Sequence, residues 1–178
     1  MTDDKEIIAM TMAKPNDGFR ILMNQYKERI YWHIRRLVVN HEDAQDATQE
    51  TFVRIYRSLA QLKQDASLRS WIYRIATNEA LRAIGKRRNK QVSLDETLTE
   101  LTALTADEYV DFSDVEAIRL QQAILSLPAK QQLAFNLRYY DELSYDEIAA
   151  ISQTSAASAK SNYHIAKEKI IHFMQTND

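Results

Sequence analysis

Segment 69–90, RSWIYRIATNEALRAIGKRRNK, sets Arg69, Arg74, Arg82, Lys86, Arg87, Arg88 and Lys90 around two aromatic side chains, Trp71 and Tyr73. Basic groups in succession neutralise phosphates and aromatic rings stack on unpaired bases, so this mixture offers binding of a single nucleic-acid strand. Trp71 also falls on the apolar stripe of the helix expected here, where core packing competes with stacking; Tyr73 is the aromatic expected at the surface. A second constellation lies in SYDEIAAISQTSAASAKSNYHIAKEKIIHF, residues 144–173. It places Ser158, Lys160, Ser161, Asn162 and His164, with Lys167 a turn later, on the outer face of a helix near its start. Small and hydrogen-bonding side chains there can approach phosphates and base edges in a major groove, although a solvated helical hairpin fits the same pattern and the face carries no arginine. A third stretch, HEDAQDATQETFVRIYRSL at 41–59, aligns Asp43, Asp46, Gln49 and Glu50 on one polar side. That side suits either water or a basic protein partner.

Covalent chemistry finds little support. His33, His41, His164 and His172 sit on three separate predicted helices without metal-ligand spacing, and a chain whose only glycines are Gly18 and Gly85 has no glycine-rich phosphate loop. With no cysteine, disulfides and thiolate metal sites are excluded. We therefore expect no enzyme activity, no metal and no cofactor. The start of the chain, MTDDKEIIAMTMAKPNDG, is acidic where a signal peptide is basic, and no stretch approaches the roughly 20 apolar residues of a membrane span, so a cytoplasmic protein without membrane insertion is expected.

The elements that must position these groups read as helices throughout. Phe19, Leu22, Met23, Tyr26, Ile30, Ile34 and Leu37 recur at steps of mostly three and four over 18–38. Asn40 caps a second helix over 41–59, with Ala44, Ala47, Phe52, Ile55 and Leu59 inward. A third, over 69–86, turns Trp71, Ile72, Ile75, Ala76, Ala80 and Ala83 toward the core. Beyond it the period fails. Residues 91–112 are acidic and threonine-rich and read as a flexible linker, with a short helical piece around Asp95 to Leu104. Charge changes sharply at this boundary: 51–90 hold 10 basic and 2 acidic side chains, whereas 91–118 hold none and 8. A net charge of only -2 thus conceals one basic segment beside an acidic one.

From 113 the helical period returns. One helix carries Val115, Ile118, Ala123 and Leu125, and Pro128 opens another with Leu133, Leu137 and Tyr140. Ser144 with Glu147 then forms a capping box, Ser152 to Ser155 make a turn, and the last helix buries Ala159, Tyr163, Ala166, Ile170 and Phe173. Short helix, tight turn and longer helix make a helix-turn-helix unit. The expected fold is all-α, two small helical domains (1–90 and 113–178) joined by the acidic linker, the second a helix-turn-helix domain.

Taken together, EDAQDATQETFVRIYRSL, SWIYRIATNEALRAIGKRR and LSLPAKQQLAFNLRYYDELSYDEIAAISQTSAASAKSNYHIAKEKI resemble, in this order, segments of the extracytoplasmic-function group of bacterial RNA polymerase sigma factors. The resemblance implies that Asp43, Asp46, Gln49, Glu50 and Arg54 dock on the clamp coiled coil of core polymerase, with Phe52 supporting their helix. It implies that Leu62, Lys63, Ser70, Trp71, Tyr73, Arg74, Asn78, Arg82, Lys86, Arg87 and Arg88 read and melt the near promoter element. Asn78 would stand beside a pocket for an extruded base that the loop from Leu62 to Leu68 completes. The chain departs from the family there: leucines replace frequent aromatics and the usual loop glycine is missing. Ser158, Lys160, Ser161, Asn162, His164 and Lys167 would read the distal element, with Ala157 and Ala159 in place of common glycine and valine. Further implied partners are the polymerase flap, duplex and single-stranded promoter DNA, and an anti-sigma factor; the free protein would be a monomer. Two other readings compete: a one-component helix-turn-helix regulator acting without polymerase, and an adaptor that binds no DNA.

Overall fold

A computed structural model describes residues 1–88 and 115–176. The chain divides into two compact units, Met1–Lys90 and Gln91–Asp178, and every regular element among the described residues is helical. The predicted linker, with its short helical piece, lies outside the described residues, as does Lys90. No described helix is long and apolar enough to cross a membrane.

The first unit holds α1 (Asp4–Ala13), α2 (Pro15–Val38), α3 (His41–Arg57), a 3-10 turn (Leu59–Gln61) and α4 (Leu68–Arg88). Helix α1 was not foreseen. Asp4 and Glu6 in its first turn complement the helix dipole, and only Ile7, Ile8 and Thr11 are buried, too short a set to announce a helix by periodicity. Its hold on α2 is specific. Tyr26 donates to Asp4 Oδ1 at 2.7 Å, and Gly18 faces Thr11 so closely that a Cβ there would collide with Thr11 backbone. That glycine is required by approach rather than by backbone angle.

Pro15 starts α2 at a position that needs no N–H donor. Asn40 caps α3, its Oδ1 accepting from the Asp43 N–H at 2.9 Å, as the sequence predicts. Leu22, Tyr26, Ile30 and Ile34 of α2, Ala44, Ala47 and Ile55 of α3, and Ile72, Ala76 and Ala80 of α4 close one core. Each fully buried large aliphatic side chain there stabilises the unit by about 1.5–3 kcal/mol.

Inside this core His33 is fully buried, its Nε2 2.9 Å from Thr77 Oγ1. Burial, with the Arg36 guanidinium nearby, holds its pKa down to about 3 from the ordinary 6.5. Between those values the unfolded chain takes up a proton that the folded one refuses, so stability is intact above about pH 6.5 and lost as pH falls toward 3. We expect denaturant unfolding to show the first unit about 2 kcal/mol less stable at pH 5 than at pH 7, and His33→Gln to flatten that slope.

The second unit holds α5 (Val115–Leu125), α6 (Ala129–Tyr139), α7 (Tyr145–Ser152) and α8 (Ala156–Thr176). Its core gathers Ala123, Ile124, Leu127, Phe135, Ala166 and Ile170. Two expectations are corrected here: Val115 is 64% exposed, and Ile124 rather than Leu125 is the buried residue at the end of α5. Ala123 is buried as expected, but Ile124 and Leu125 are both apolar and only packing in the folded unit chooses between them. Ser144 and Glu147 do form the capping box, at 3.2 and 2.8 Å. Gln153 takes a left-handed conformation that ends α7, and Ser155 Oγ accepts from the Ser158 N–H at 3.1 Å to start α8. The turn between the two helices is thereby fixed at both ends.

Candidate nucleic-acid interface

Along α4 the outward positions are Arg74, Asn78, Leu81, Arg82, Gly85 and Lys86. These share the side of the helix left over after Leu68, Ile72, Ala76 and Ala80 turn inward. The two aromatics exchange their expected places. Tyr73 is 1% exposed, its ring 5.1 Å from that of His33, whereas Trp71 is only half-buried. The cause is helical phase: Tyr73 lies three and seven positions before Ala76 and Ala80, in the middle of the buried stripe, while Trp71 falls at its edge. Ser70 and Leu62 are buried as well, Ser70 receiving a hydrogen bond from Ser67 Oγ at 3.0 Å. Three residues expected to touch DNA are therefore buried in the first unit.

Between α3 and α4 the chain from 58 to 67 is pinned by buried Leu62 and Leu68, which leaves Lys63, Gln64, Asp65 and Ser67 exposed. The two leucines anchor the loop from inside, so the surface it turns outward is polar. Arg88 ends α4, and its side chain lies outside the described part.

On α3, Asp46 and Gln49 are exposed, whereas the other expected docking residues are engaged. Arg87 Nη1 stands 3.3 Å from Asp43 Oδ2, Arg54 Nε 3.3 Å from Glu50 and 2.5 Å from Glu79 Oε1, and Arg82 Nη1 2.7 Å from the same Glu79 oxygen. These residues, with Asp46 and Lys86, line a groove of about 560 Å³ between α3 and α4. Glu79 was singled out by no sequence pattern; nothing in the order of residues says that a carboxylate at 79 will meet an arginine at 54.

A second feature was missed. Phe19 and Met23 of α2 and Phe52, Val53 and Tyr56 of α3 line an apolar groove of about 760 Å³ that reaches Gln49. Val53 is 41% and Tyr56 50% exposed, Tyr56 resting edge-on against Phe19 with ring centroids 5.1 Å apart. The signal was present in the sequence: Val53 and Tyr56 are apolar yet lie off the stripe of Ala44, Ala47, Thr51 and Ile55.

On α8, Ser158, Lys160, Ser161, His164 and Lys167 are exposed and Asn162 half-buried. Lys130 of α6, also missed, joins Thr154, Ala157, Ser158, Ser161 and Asn162 around a shallow concavity of about 420 Å³ at the start of the helix. Small side chains there keep the helix end open to a bulky ligand such as a DNA backbone.

Two family models match this chain, Sigma-70 region 2 over residues 22–90 and Sigma-70, region 4 over 117–170, which hold all of the surface residues named above except Phe19. The ECF RNA polymerase sigma factor SigW of Bacillus subtilis is 30% identical over 175 residues, covering 93% of this chain and 94% of that protein. The RNA polymerase sigma-H factor of Pseudomonas aeruginosa is 28% identical, over 97% of this chain and 94% of its own. Among solved structures, CnrH in complex with the cytosolic domain of CnrY shares the fold at a TM-score of 0.75 and 16% identity, over 98% of this chain and 99% of that one. With a helix-turn-helix unit, a basic helix and an acidic one falling within regions that relatives of full matching length share, the chain belongs to the ECF family of RNA polymerase sigma factors, non-catalytic proteins that direct core polymerase to promoters.

Proposed function

We propose that the two units divide promoter recognition between them and that the first also carries the main contact with core polymerase. Asp46 and Gln49, with Val53 and Tyr56 beside them, form the docking face for the polymerase clamp, and Asp43, Glu50 and Arg54 border it. Lys63, Trp71, Arg74, Asn78, Arg82, Lys86, Arg87 and Arg88 receive the separated strand of the near element, while Leu62, Ser70 and Tyr73 fix the scaffold beneath. Ser158, Lys160, Ser161, Asn162, His164 and Lys167 read the distal element in its major groove, with Lys130 on a flanking phosphate. Capture of an extruded base next to Asn78 offsets part of the unstacking cost of a few kcal/mol. The observation that supports this division most directly is that α4 exposes Arg74, Asn78, Arg82 and Lys86 while its aromatic Tyr73 is withdrawn into the core.

The second unit also meets the polymerase flap, and residues 91–112 span the two DNA elements. The fold neighbours include CnrH with the cytosolic domain of CnrY and the sigma factor RpoE with the anti-sigma factor NepR from Bartonella quintana. By analogy a protein inhibitor that covers these surfaces completes the partners of this chain, which acts as a monomer in the cytoplasm, where polymerase resides.

Run-off transcription with purified core polymerase on a promoter library tests the reading. Transcripts must depend on the added protein; sequence-specific binding as a symmetric dimer without polymerase overturns it. Asn78→Ala, the loss of about one hydrogen bond to an unpaired base, is expected to lower strand opening about fivefold, measured by permanganate reactivity, with polymerase affinity changed less than twofold.

A further inference from the structure

Gly85 lies inside α4, and nothing described in the first unit calls for a glycine there. The helix runs on to Arg88 and no described glycine has a positive φ, so Gly85 neither ends α4 nor needs a left-handed backbone. Packing does not demand it either: where a Cβ at Gly18 would strike Thr11, one at Gly85 meets no described atom within 4 Å. A glycine inside a helix costs about 1 kcal/mol against alanine. What offsets that cost lies outside the unit.

The position of Gly85 on the helix narrows the choice. Asn78 and Gly85, seven residues or two turns apart, fall on one line of the exposed side of α4. Leu81 stands along one flank of that line, Arg82 and Lys86 along the other. Helical side chains lean toward the N-terminus, so a side chain at 85 would lie over the turn of Leu81; without one, Leu81 is 50% exposed beside bare helix backbone. The result is an apolar notch in a polar and basic face. Among the bases only thymine carries an apolar substituent, its C5 methyl, and a base can approach the helix backbone closely only where no side chain intervenes.

We propose that Leu81 and Gly85 form a thymine subsite for the strand along α4. The base lies over Gly85 with its methyl on Leu81, about 10 Å along the helix axis from Asn78, and Arg82 or Lys86 meets the adjoining phosphate. This rests on the placement of the strand given above. It adds selection of thymine at a second position, separate from the extruded base beside Asn78.

The test uses the full chain with fluorescein-labelled oligothymidylate and oligodeoxyuridylate of equal length, which differ only in the C5 methyl. Wild type is expected to bind the thymine strand about fourfold tighter, the worth of one buried methyl group. Leu81→Ala should bring that ratio to about one. Gly85→Ala should lower affinity for oligothymidylate about fourfold, yet raise the melting temperature of the first unit by about 4 °C, since alanine is the better helix former. A glycine kept only for folding would not move the two quantities in opposite directions. A wild-type ratio near one, or a Gly85→Ala chain that binds as wild type, overturns the subsite. So does an equal loss for both strands on Leu81→Ala, which would put a sugar rather than a methyl on the leucine. Failure of the strand placement shows elsewhere, in Arg74→Gln: unchanged binding of both oligomers refutes the placement on α4, whereas weakening of both, beside a ratio near one in wild type, keeps the placement and removes only the thymine subsite.

Discussion

Asp46→Lys is expected to weaken association with core polymerase about 30-fold, roughly 2 kcal/mol, read as the protein concentration that half-saturates run-off transcription. The size follows from position. Asp46 is exposed on α3, next to Gln49 and the apolar groove of Phe19, Met23, Phe52, Val53 and Tyr56, so a partner helix that buries Val53 and Tyr56 brings its own charges against Asp46 in a partly desolvated setting. Charge pairs at the edge of such a contact exceed the value of free surface pairs, and reversal turns attraction into repulsion. Asp46 is also the cleanest site for the change. Reversing Glu50 would place a lysine one turn from Arg54, and reversing Asp43 would set one against Arg87, so either change disturbs the groove as well as the docking face. Oligothymidylate binding by the free Asp46→Lys chain should be no weaker than wild type, because the substitution adds a positive charge. A parallel loss of strand binding would mean that the unit, rather than its docking face, had been damaged.

What could be read from the sequence was whatever helical phase and local caps dictate. The stripe Leu22, Tyr26, Ile30, Ile34, the Asn40 cap, the Ser144–Glu147 box and the face of Ser158, Ser161 and Lys160 all depend on residues within one or two turns of each other. Helix α1 escaped because a pair of isoleucines and a threonine make too short a period, and its seat on α2 depends on the close approach of Gly18 to Thr11. The exchange of Trp71 and Tyr73 has a different origin. Both side chains suit a core or a stacking surface, and three apolar residues in a row, Trp71, Ile72 and Tyr73, do not say where the stripe is centred; His33 and Thr77 decide it from inside the fold. The ion pairs of Arg87 with Asp43 and of Arg54 with Glu79 bridge separate helices, and a sequence in which both helices simply look charged contains no sign of them. For the site, then, the residue types were legible while their division into contacts, supports and internally paired charges required the fold.

The second large effect is expected at Phe135, which no functional motif includes. Phe135 is 3% exposed, packs with Ile124, Leu127 and Ile170, and lies nearly parallel to the rings of Tyr139 at 5.1 Å and Tyr163 at 5.9 Å. Truncation to alanine removes a buried aromatic from a small core, which costs about 3–5 kcal/mol, and withdraws the ring against which Tyr163 of α8 rests. A helical unit of this size holds only about 3–5 kcal/mol in total, so Phe135→Ala should unfold it at 37 °C. Thermal melting followed by circular dichroism should then lose the amplitude of the second unit, with hydrogen exchange accelerated across 115–176 and unaltered across 4–88. In transcription, promoters that require the distal element should fall silent, and binding of core polymerase through α3 should persist in weakened form. If the variant instead melted as the wild type, the core of this unit would have to lie elsewhere, and the placement of Ser158, Ser161 and Asn162 on a rigid helix would lose its support. Tyr139→Ala provides the matched comparison: that ring stacks on the same Phe135 yet is 54% exposed, so its loss should cost about 1 kcal/mol and leave α8 in place.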